Sequence, residues 1–344
     1  IQLQLIREHG ADSFKQLFPC RYLEFEEGVG TGYVTNKRSL YSNILRAIES
    51  QWNFVNERAG LPGVYIEDWT GEPEDYKALQ LFKFSNYLAK TKTVESLLKG
   101  IKKLETMKCT KECTTCMKTV RGRKDRVRTC CGMSASAPIP APVVFHLFAF
   151  FQNSTPFPNH SFECTPDCGC GPKCKNRTIQ NGRQIVLCVF REPQKGWGVR
   201  VMRDLDECTF VGEYTGEVRH EGLKGPLATY NFDLGFNVVK SRKALVVCAG
   251  EKGNETRFFN HSCAPNLFTR TVVVERHGLF FHRIGFQSKR KIRAGEELTF
   301  DYFPDKLRKD GHVKSMFPHC RCGTPSCRFQ EEPNVKEEIF DEDE

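Results

Sequence analysis

The clustering of the cysteines constrains this chain more than any other feature. Of 17 cysteines in 344 residues, nine fall in two short segments and three more fall within eight residues near the C-terminus. The spacings are of the CxC and CxxC kind. Thiols set this closely are poorly placed to bond each other but well placed to share a metal ion. The clusters therefore predict structural zinc rather than a disulfide framework.

The first two clusters together offer nine thiolates. The nine residues are Cys109, Cys113, Cys116, Cys130, Cys131, Cys164, Cys168, Cys170 and Cys174. Zinc takes four ligands, so three ions need about twelve ligand positions. Nine thiolates fill those positions if three of them bridge two ions each. This count favours a three-zinc cluster, and two zinc ions with one free thiol stay open as the alternative.

The third cluster offers three ligands, Cys320, Cys322 and Cys327, in CxCx4C spacing. A tetrahedral zinc site needs a fourth ligand from elsewhere. Cys263, in the segment NHSC, is the candidate, and it would join the C-terminal segment to that loop. The alternative is that Cys263 is a buried thiol, as expected for Cys188, Cys208 and Cys248.

The secondary-structure patterns change along the chain. Helical apolar spacing occurs at 39–49 and again within 76–104. A segment rich in Pro, Ala and Ser at 134–142 is typical of a loop or linker. From 185 to 302, short runs rich in Val, Phe and Thr are separated by Gly, Pro and Asn, which predicts small β-sheets. We therefore expect a mainly β fold with some α, preceded by a helical N-terminal region.

Two classes of protein are not expected from this sequence. No run of about eighteen apolar residues occurs, so a membrane-spanning helix is not predicted. The first residues lack the basic, then apolar, then small-residue pattern of a secretory signal. With its clustered thiols, the chain is expected to be an intracellular zinc protein without a membrane partner.

The net charge of +9 is unevenly distributed. The last fourteen residues carry −7, which leaves +16 for the rest of the chain. A basic body suits a polyanionic neighbour such as nucleic acid or a nucleosome, although a lysine-rich solvated surface explains the charge equally well. The basic runs at 121–128 and 288–293 have the same two interpretations, with import signals as a third. The acidic tail at 330–344 is predicted to be disordered.

Four motifs in order resemble one family. They are KGWGVR at 195–200, RFFNHSCAPN at 257–266, GEELTFDY at 295–302 and CRCGTPSC at 320–327. Together they resemble the SET domain and the post-SET segment of histone lysine methyltransferases. The second cysteine group and its continuation, CTPDCGCGPKCKNRTIQNG, resemble the end of the pre-SET region of the Su(var) branch, which methylates lysine nine of histone H3. NFVNERAGLPGVYIEDW at 53–69 resembles the entry to that region.

The resemblance implies a fold and a division of the chain. The implied fold consists of small β-sheets with a pseudoknot, in which the NHSC and FDY segments thread past each other, flanked by zinc-cysteine regions. The implied domains are an unassigned N-terminal region at 1–51, a pre-SET zinc region at 52–184, a SET catalytic domain at 185–303, a post-SET zinc segment at 304–329 and an acidic tail at 330–344.

The resemblance also implies the catalytic residues. Tyr302 corresponds to the catalytic tyrosine, whose hydroxyl orients the amine and the methyl group. Tyr230, in TYNFDL, corresponds to a tyrosine that lines the lysine channel. Phe300 occupies a position where the family has Phe or Tyr. Because Phe leaves room for further methyl groups, it predicts di- or trimethylated products. The alternatives are structural aromatic residues at all three positions.

The methyl donor implied by the resemblance is S-adenosylmethionine. Its predicted binding residues belong to the GWG and NHSC motifs, with one after the post-SET cysteines: Gly196, Trp197, Gly198, Arg257, Asn260, His261 and Phe329. The glycines would let the backbone approach the donor, and Phe329 would cover the adenine. The implied metals are three zinc ions in the pre-SET cluster and one in the post-SET site.

The expected function is methylation of a lysine of the histone H3 tail, lysine nine, on the nucleosome in the nucleus, with a role in heterochromatin formation. One alternative is the same chemistry on another histone or non-histone lysine. A second is a non-catalytic SET-like module that binds chromatin through its basic body. The segment GLKGPLATY before Tyr230 lacks the acidic residues usual in the family, and the first five cysteines depart from the family spacing.

Overall fold

The structure, a computed structural model, describes residues 7, 10–18, 37–68, 76–90, 92, 160–163, 176–193, 195–220, 222, 224–237, 244–276, 279–303 and 320–329. The cysteines of the first two clusters, the predicted linker, the basic run at 121–128 and the acidic tail lie outside these residues. Within the described residues, no helix combines the length and the apolar character needed to span a membrane.

Four helices lie in the described part of the chain: α1 Ala11–Leu17, α2 Lys37–Arg58, α3 Tyr76–Leu81 and α4 Thr178–Asn181. The helix predicted at 39–49 lies within the first thirteen residues of α2, which extends nine residues further than predicted. The helical prediction within 76–104 holds only for α3, because Lys83 and Phe84 leave the helix and pair as a strand. The expected domain division between residues 51 and 52 falls inside α2, and the domain limits stay predictions.

The strands of the N-terminal part are short. They are β1 Val64–Asp68, β2 Lys83–Phe84, β3 Ala89–Lys90 and β4 His160–Phe162. The next five are β5 Leu187–Glu192, β6 Gly196–Val201, β7 Phe210–Glu213, β8 Glu217–Arg219 and β9 Asn231–Asn237. The last six are β10 Ala244–Cys248, β11 Lys252–Gly253, β12 Asn260–His261, β13 Leu267–Arg276, β14 Leu279–Ser288 and β15 Thr299–Phe300.

Small sheets pack around one core. Three of them have the orders β1-β5-β6, β3-β8-β10-β9 and β4-β13-β14-β7, and two-stranded pairs form between β2 and β11 and between β12 and β15. Valines and isoleucines of alternate strand positions, such as Val189, Val199 and Val211, are fully buried between the sheets. The predicted fold class, mainly β with small sheets, is confirmed by this arrangement.

Residues 64–90 contribute strands to three sheets of the later part of the chain. β1 pairs in parallel with β5, β2 with β11 and β3 with β8. Trp52 of α2 is 1% exposed and stacks on Phe84 and Phe258 at ring-centroid distances of 4.7 and 6.0 Å. Residues 37–90 and the β-rich region therefore share one hydrophobic core.

A carboxylate joins the two ends of the second cysteine segment. Glu163 accepts hydrogen bonds from the backbone N–H groups of Ile179 and Gln180 at 2.6 and 3.2 Å. These are free N–H groups at the start of α4, where a negative charge is favourable. Residue 163 and α4, which lie on either side of the second cluster in sequence, are therefore held together.

Candidate active site and metal centre

The parallel pairing of β12 with β15 creates the candidate site. Asn260 lies opposite Thr299 and His261 opposite Phe300, and the Ser262 N–H donates to the carbonyl of Phe300 at 3.1 Å. Two motifs almost forty residues apart in sequence are thereby placed side by side. This is the juxtaposition expected of the pseudoknot.

Tyr302 follows β15, and hydrogen bonds fix both its hydroxyl and its backbone N–H. Its hydroxyl donates to the carbonyl oxygen of Phe259 at 2.6 Å, and its backbone N–H donates to Nδ1 of His261 at 3.1 Å. Burial, followed by the charges of Tyr230 and Glu297, raises the pKa of the Tyr302 phenol above its ordinary value. The hydroxyl is therefore neutral at physiological pH, and its two lone pairs remain available beside the donated proton.

Aromatic rings surround Tyr302 on the inner side. Phe300 is 7% exposed, and its ring centroid lies 4.7 Å from that of Tyr302. Phe232 stacks on Phe300 at 6.1 Å. The predicted Phe300 position is therefore a buried ring in direct contact with the candidate catalytic tyrosine.

Tyr230 ends a 3-10 turn at Gly225–Tyr230 and is half-buried. Its carbonyl accepts from the Tyr214 hydroxyl at 2.8 Å and from the Ala249 N–H at 3.1 Å. Sequence reasoning did not single out Tyr214. Its signal was weak, a tyrosine at the end of a short predicted strand, but the structure makes it the anchor that fixes the backbone of Tyr230.

The predicted donor motifs meet at Gly198. A Cβ at this glycine would lie 2.8 Å from Oε1 of Glu297 and 3.0 Å from Nδ2 of Asn260, so a larger residue would displace these two side chains. Asn260 Nδ2 donates to Glu297 Oε1 at 2.8 Å and to the Trp197 carbonyl at 3.3 Å. Glu297 also pairs with Lys195 at 2.9 Å. Sequence reasoning missed Glu297, although it stands in the GEELTFDY motif.

Features of the GWG segment fit a bound polar ligand. The indole Nε1 of Trp197 is buried and has no hydrogen-bond partner in the described part of the chain. Gly196 adopts a φ of +76°, and a Cβ built there would meet nothing within 4 Å. A buried donor without a partner is costly, and a ligand acceptor would remove that cost. The segment therefore fits the binding role predicted for it.

Arg257 lies apart from that cluster. Its guanidinium lies over the rings of Tyr230, Phe82 and Phe258, at 4.1, 4.4 and 4.9 Å from the ring centroids. Asn260 and Gly198, by contrast, contact each other and Glu297. The side chain of Arg257, a predicted donor-binding residue, therefore faces Tyr230 rather than the cluster of Gly198, Asn260 and Glu297.

The four predicted C-terminal zinc ligands come together. The thiols of Cys263, Cys320, Cys322 and Cys327 all lie within 4.8 Å of one another. The sulfur atoms of Cys263 and Cys327 are 3.9 Å apart. Tetrahedral zinc with bonds of about 2.3 Å requires sulfur–sulfur distances of about 3.8 Å. Burial raises the pKa values of Cys320 and Cys327, whereas hydrogen bonds from Thr324 and from Cys263 and Cys320 outweigh burial at Cys322 and lower its pKa to about 6. The donor set and its spacing fit zinc.

His261 connects this thiol cluster to Tyr302. Its Nε2 lies 3.4 Å from Cys263 Sγ, while Nδ1 accepts from the Tyr302 N–H. Burial, assisted by the charge of Arg328, lowers the pKa of His261 to about 4 despite the nearby Asp301. The ring is therefore neutral, with its proton on Nε2 facing the sulfur.

Arg328 reinforces the same connection and was not singled out from the sequence. Its guanidinium donates to Asp301 Oδ1 at 2.6 Å and to the Phe303 carbonyl at 3.1 Å. Its backbone N–H donates to Cys263 Sγ at 3.3 Å. Phe329 lies next to it, with its ring 5.8 Å from His261 and 5.9 Å from Phe303. The predicted adenine-covering residue is thus beside the NHSC segment.

Comparison with known proteins agrees with this geometry. Residues 196–303 match the family described as the SET domain. This part of the chain is therefore similar to a SET domain. The match covers β6 to β15 and includes every strand that carries the GWG, NHSC and FDY segments.

The relatives of this chain fit the resemblance drawn from its motifs, which is confirmed. It is 34% identical over 215 residues to the histone-lysine N-methyltransferase SUV39H2 of Xenopus tropicalis, covering 58% of this chain and 52% of that protein. It is 39% identical over 175 residues to the human histone-lysine N-methyltransferase EHMT1, covering 48% of this chain and 12% of that protein. The chain thus spans about half or less of the relatives' length.

Solved structures show the same fold. The structure of KRYPTONITE in complex with mCHG DNA and SAH is 26% identical, with a TM-score of 0.51, and the match covers 78% of this chain and 50% of that one. The coverage extends well beyond residues 196–303. Part of the chain before residue 196 therefore belongs to the shared architecture as well.

Proposed function

We propose that this protein transfers methyl groups from S-adenosylmethionine to lysine nine of the histone H3 tail and yields di- or trimethyl-lysine. The observation that carries the proposal is the pairing of β12 with β15. It places the Tyr302 hydroxyl against the carbonyl of Phe259, the residue before Asn260, which in turn contacts Gly198. The similarity to SUV39H2 and EHMT1, both histone-lysine N-methyltransferases, supports it. The SAH bound to KRYPTONITE supports the choice of donor.

When bound, S-adenosylmethionine supplies a methyl group on a positively charged sulfur. The chain must present a neutral lysine amine to it. A free lysine has a pKa of about 10.4, so roughly one amine in 10³ is neutral at pH 7. Desolvation by the rings of Tyr230, Phe300 and Tyr302 disfavours the ammonium form and lowers that pKa.

The proposed catalytic residues divide the remaining work. The Tyr302 hydroxyl, whose proton is held by the Phe259 carbonyl, presents its lone pairs to the reacting groups and aligns them. Tyr230 forms one wall of the lysine channel. Phe300 brings no hydroxyl to the channel, so no water is bound there to limit the addition of further methyl groups.

The proposed donor residues are Gly196, Trp197, Gly198, Asn260, His261 and Phe329. Asn260 is fixed by Glu297 and the Trp197 carbonyl, so its remaining acceptor and backbone are oriented in advance. The Trp197 Nε1–H is the buried donor available to a ligand. The Phe329 ring and the His261 ring would enclose the adenine from the post-SET side.

Zinc has a structural role in this proposal. Cys263, Cys320, Cys322 and Cys327 would hold one ion with no open coordination position. The nine cysteines of the first two clusters, which lie outside the described residues, are proposed to hold three more. The His261 Nε2–H would donate to a metal-bound thiolate, which is the kind of outer-shell contact that orients metal ligands.

The proposed partners are the histone H3 tail and the nucleosome, in the nucleus. A solved KRYPTONITE complex contains an H3(1-15) peptide. The basic run at 288–293 offers less free charge than its sequence indicates, since Arg290 pairs with Glu296 at 2.5 Å and Lys291 lies 3.8 Å from Asp204. Contact with nucleic acid stays a proposal based on the overall positive charge.

The proposal is tested by methylation assays on an array of histone peptides and on nucleosomes, with mass detection. We expect methylation of an H3 peptide at lysine nine, and a loss on the order of 10²-fold or more in the Tyr302→Phe variant. Tyr87→Phe is the matched control, because Tyr87 is 64% exposed. A protein inactive on every H3 peptide and on nucleosomes would refute the proposal. Full activity of Tyr302→Phe would refute the role of Tyr302.

A further inference from the structure

Arg257 is a buried cation without a carboxylate partner. The residue is 9% exposed, and three aromatic rings enclose its guanidinium at 4.1 to 4.9 Å. Among the residues that the structure describes, no acidic side chain forms an ion pair with it, and its Nε is buried without a hydrogen-bond partner. The three ring faces and a hydrogen bond with the Tyr230 side chain stabilise the cation, and none of the described carboxylates cancels its charge.

The neighbouring ion pair shows that the fold could have neutralised this charge. Glu255 lies two residues earlier in the same 3-10 turn, Glu255–Phe258, but it pairs with Arg183 at 2.7 Å. Both of those side chains are 2% exposed. The carboxylate closest in sequence is thus committed elsewhere, and Arg257 keeps its full positive charge among aromatic rings.

The polar groups around Arg257 include Tyr230, which is proposed to line the lysine channel. They come from several elements: Tyr230 ends the 3-10 turn before β9, Tyr214 follows β7, and Cys248, which interacts with Tyr214, ends β10. Burial lowers the pKa of the Arg257 guanidinium, and the two tyrosines oppose that shift. Burial also raises the pKa values of Tyr214 and Tyr302, so these phenols are neutral and do not cancel the charge.

We propose that Arg257 is a positioning residue on the substrate side, whose fixed positive charge behind Tyr230 holds the target lysine in its neutral, reactive form. The inference rests on the proposed function, since it assumes that Tyr230 and Tyr302 line a lysine channel. The ammonium proton leaves to solvent before transfer. The neutral nitrogen then forms its bond to carbon as the bond from carbon to the donor sulfur breaks.

The size of the effect follows from the geometry. The guanidinium lies 4.1 Å from the centroid of the Tyr230 ring, and an amine on the opposite side of that ring would be on the order of 8 Å away. With an effective dielectric constant of about 20, a unit charge at that distance lowers a lysine pKa by about 1.5 units. The neutral fraction at pH 7 rises by the same factor, about 30-fold.

The test is the pH dependence of kcat for the wild type and for Arg257→Met and Arg257→Lys. Loss of the positive charge raises the pKa of the bound lysine, so the acid limb of the Arg257→Met profile should move up by about 1.5 pH units. The rate should fall about 30-fold at pH 7 and recover toward wild type at high pH. Arg257→Lys should keep most of the wild-type profile, because it keeps the charge.

A change of substrate provides a second readout. A histone peptide carrying aminoethylcysteine in place of the target lysine presents a less basic amine. Its methylation should suffer less from Arg257→Met than methylation of the lysine peptide does. Arg219→Met is the control, because the charge of Arg219 is already paired with Glu217 at 2.7 Å; its pH profile should match the wild type.

The outcomes are separable. An unshifted profile in Arg257→Met, or an equal loss at every pH and with both peptides, overturns the inference. So does a marked loss of affinity for S-adenosylhomocysteine measured by calorimetry, because this would place Arg257 on the donor side. If Arg257→Met does not fold, Arg257→Gln is compared with Arg257→Lys in its place. A wild-type protein inactive on all histone substrates removes the proposed function, whereas an active one with an unshifted variant removes only this inference.

Discussion

In this site, the hydrogen bonds that a single residue can make depend on its immediate neighbours. Asn260 can span the Trp197 carbonyl and Glu297 only because Gly198 has no side chain. The Tyr302 hydroxyl is committed as a donor to Phe259, which leaves only acceptor capacity for the reacting groups. Substitutions at these positions are therefore expected to affect chemistry through geometry rather than through a change in charge.

At the residue scale, we propose that Phe300 sets the methylation state of the product. In the Phe300→Tyr variant, a hydroxyl is added to a ring whose centroid lies 4.7 Å from that of Tyr302. That hydroxyl can bind a water molecule in the space that a methylated amine needs. We expect mass spectra to shift from di- and trimethyl-lysine toward monomethyl-lysine, with the first methyl transfer slowed by less than about tenfold.

Phe84→Tyr is the matched control for this change. Phe84 is half-buried and stacks on Trp52, away from Phe300. Its variant should keep the wild-type product distribution. Trimethylation undiminished in Phe300→Tyr would contradict the assignment of product control to this position.

At the scale of elements, α2 acts as a part of the β-rich core. One of its faces carries Tyr41, Leu45, Ile48 and Trp52 into the main hydrophobic cluster. Asn53, the next residue of the helix, holds β1. Its Nδ2 donates to the Val64 carbonyl at 2.9 Å, and its Oδ1 accepts from the Val64 N–H at 2.7 Å. The helix therefore fixes the strand that extends the β5–β6 sheet.

Trp52→Ala tests the contribution of this helix. Trp52 is 1% exposed, and its removal leaves a cavity between Phe84 and Phe258, which should lower the free energy of unfolding by about 3–5 kcal/mol. Phe54→Ala is the control on the same helix, since Phe54 is 59% exposed and should change stability by less than about 0.5 kcal/mol. Urea unfolding followed by circular dichroism measures both. Equal effects of the two substitutions would show that α2 is not docked as described.

At the scale of the whole molecule, one buried ion pair links three distant segments. Arg183 Nε donates to Glu255 at 2.7 Å, and its terminal nitrogens donate to the carbonyls of Pro62, Gly63 and Ile185. The loop before β1, the start of the β-rich region and the turn before the NHSC motif are therefore tied together by one guanidinium.

Arg183→Met should destabilise the whole chain by about 3–5 kcal/mol, because it leaves the Glu255 carboxylate buried without a partner. Arg290→Met removes an Arg–Glu pair in which the arginine side chain is 55% exposed, so its cost should be below about 1 kcal/mol. Thermal and urea unfolding of both variants compare the pairs. A cost for Arg183→Met as small as that for Arg290→Met would contradict the buried linkage.

Metal content is a property of the whole chain. Four zinc ions per chain are expected by elemental analysis, and Cys327→Ser should remove one of them. Since His261 lies between Cys263 and Tyr302, loss of that ion should also weaken S-adenosylhomocysteine binding, measured by calorimetry. Cys188→Ser, at a buried thiol outside the clusters, should keep four zincs. Two or fewer zinc ions in the wild type would contradict the ligand count.

Much of the site could be read from the sequence because its chemistry depends on short motifs. Within each of the motifs NHSC and FDY the residues are contiguous in sequence, so their types and spacing can be recognised as a pattern. Glu297 and Arg328 lay within or beside such motifs and were still missed, because a charged residue in a motif does not reveal its partner. Tyr214 was missed for a different reason, since its role depends on the Tyr230 carbonyl sixteen residues away.

The sequence by itself determined the fold class, the resemblance to the SET family and the set of thiols available for metal, since strand patterning, short motifs and cysteine spacing are local properties. Only the tertiary structure decided that residues 37–90 complete three sheets, that the post-SET thiols meet Cys263, and that Arg257 faces Tyr230 rather than Gly198. The physical reason is that strand pairing, thiol convergence and the burial of a cation among rings depend on contacts between distant segments. No local pattern encodes which of those contacts forms.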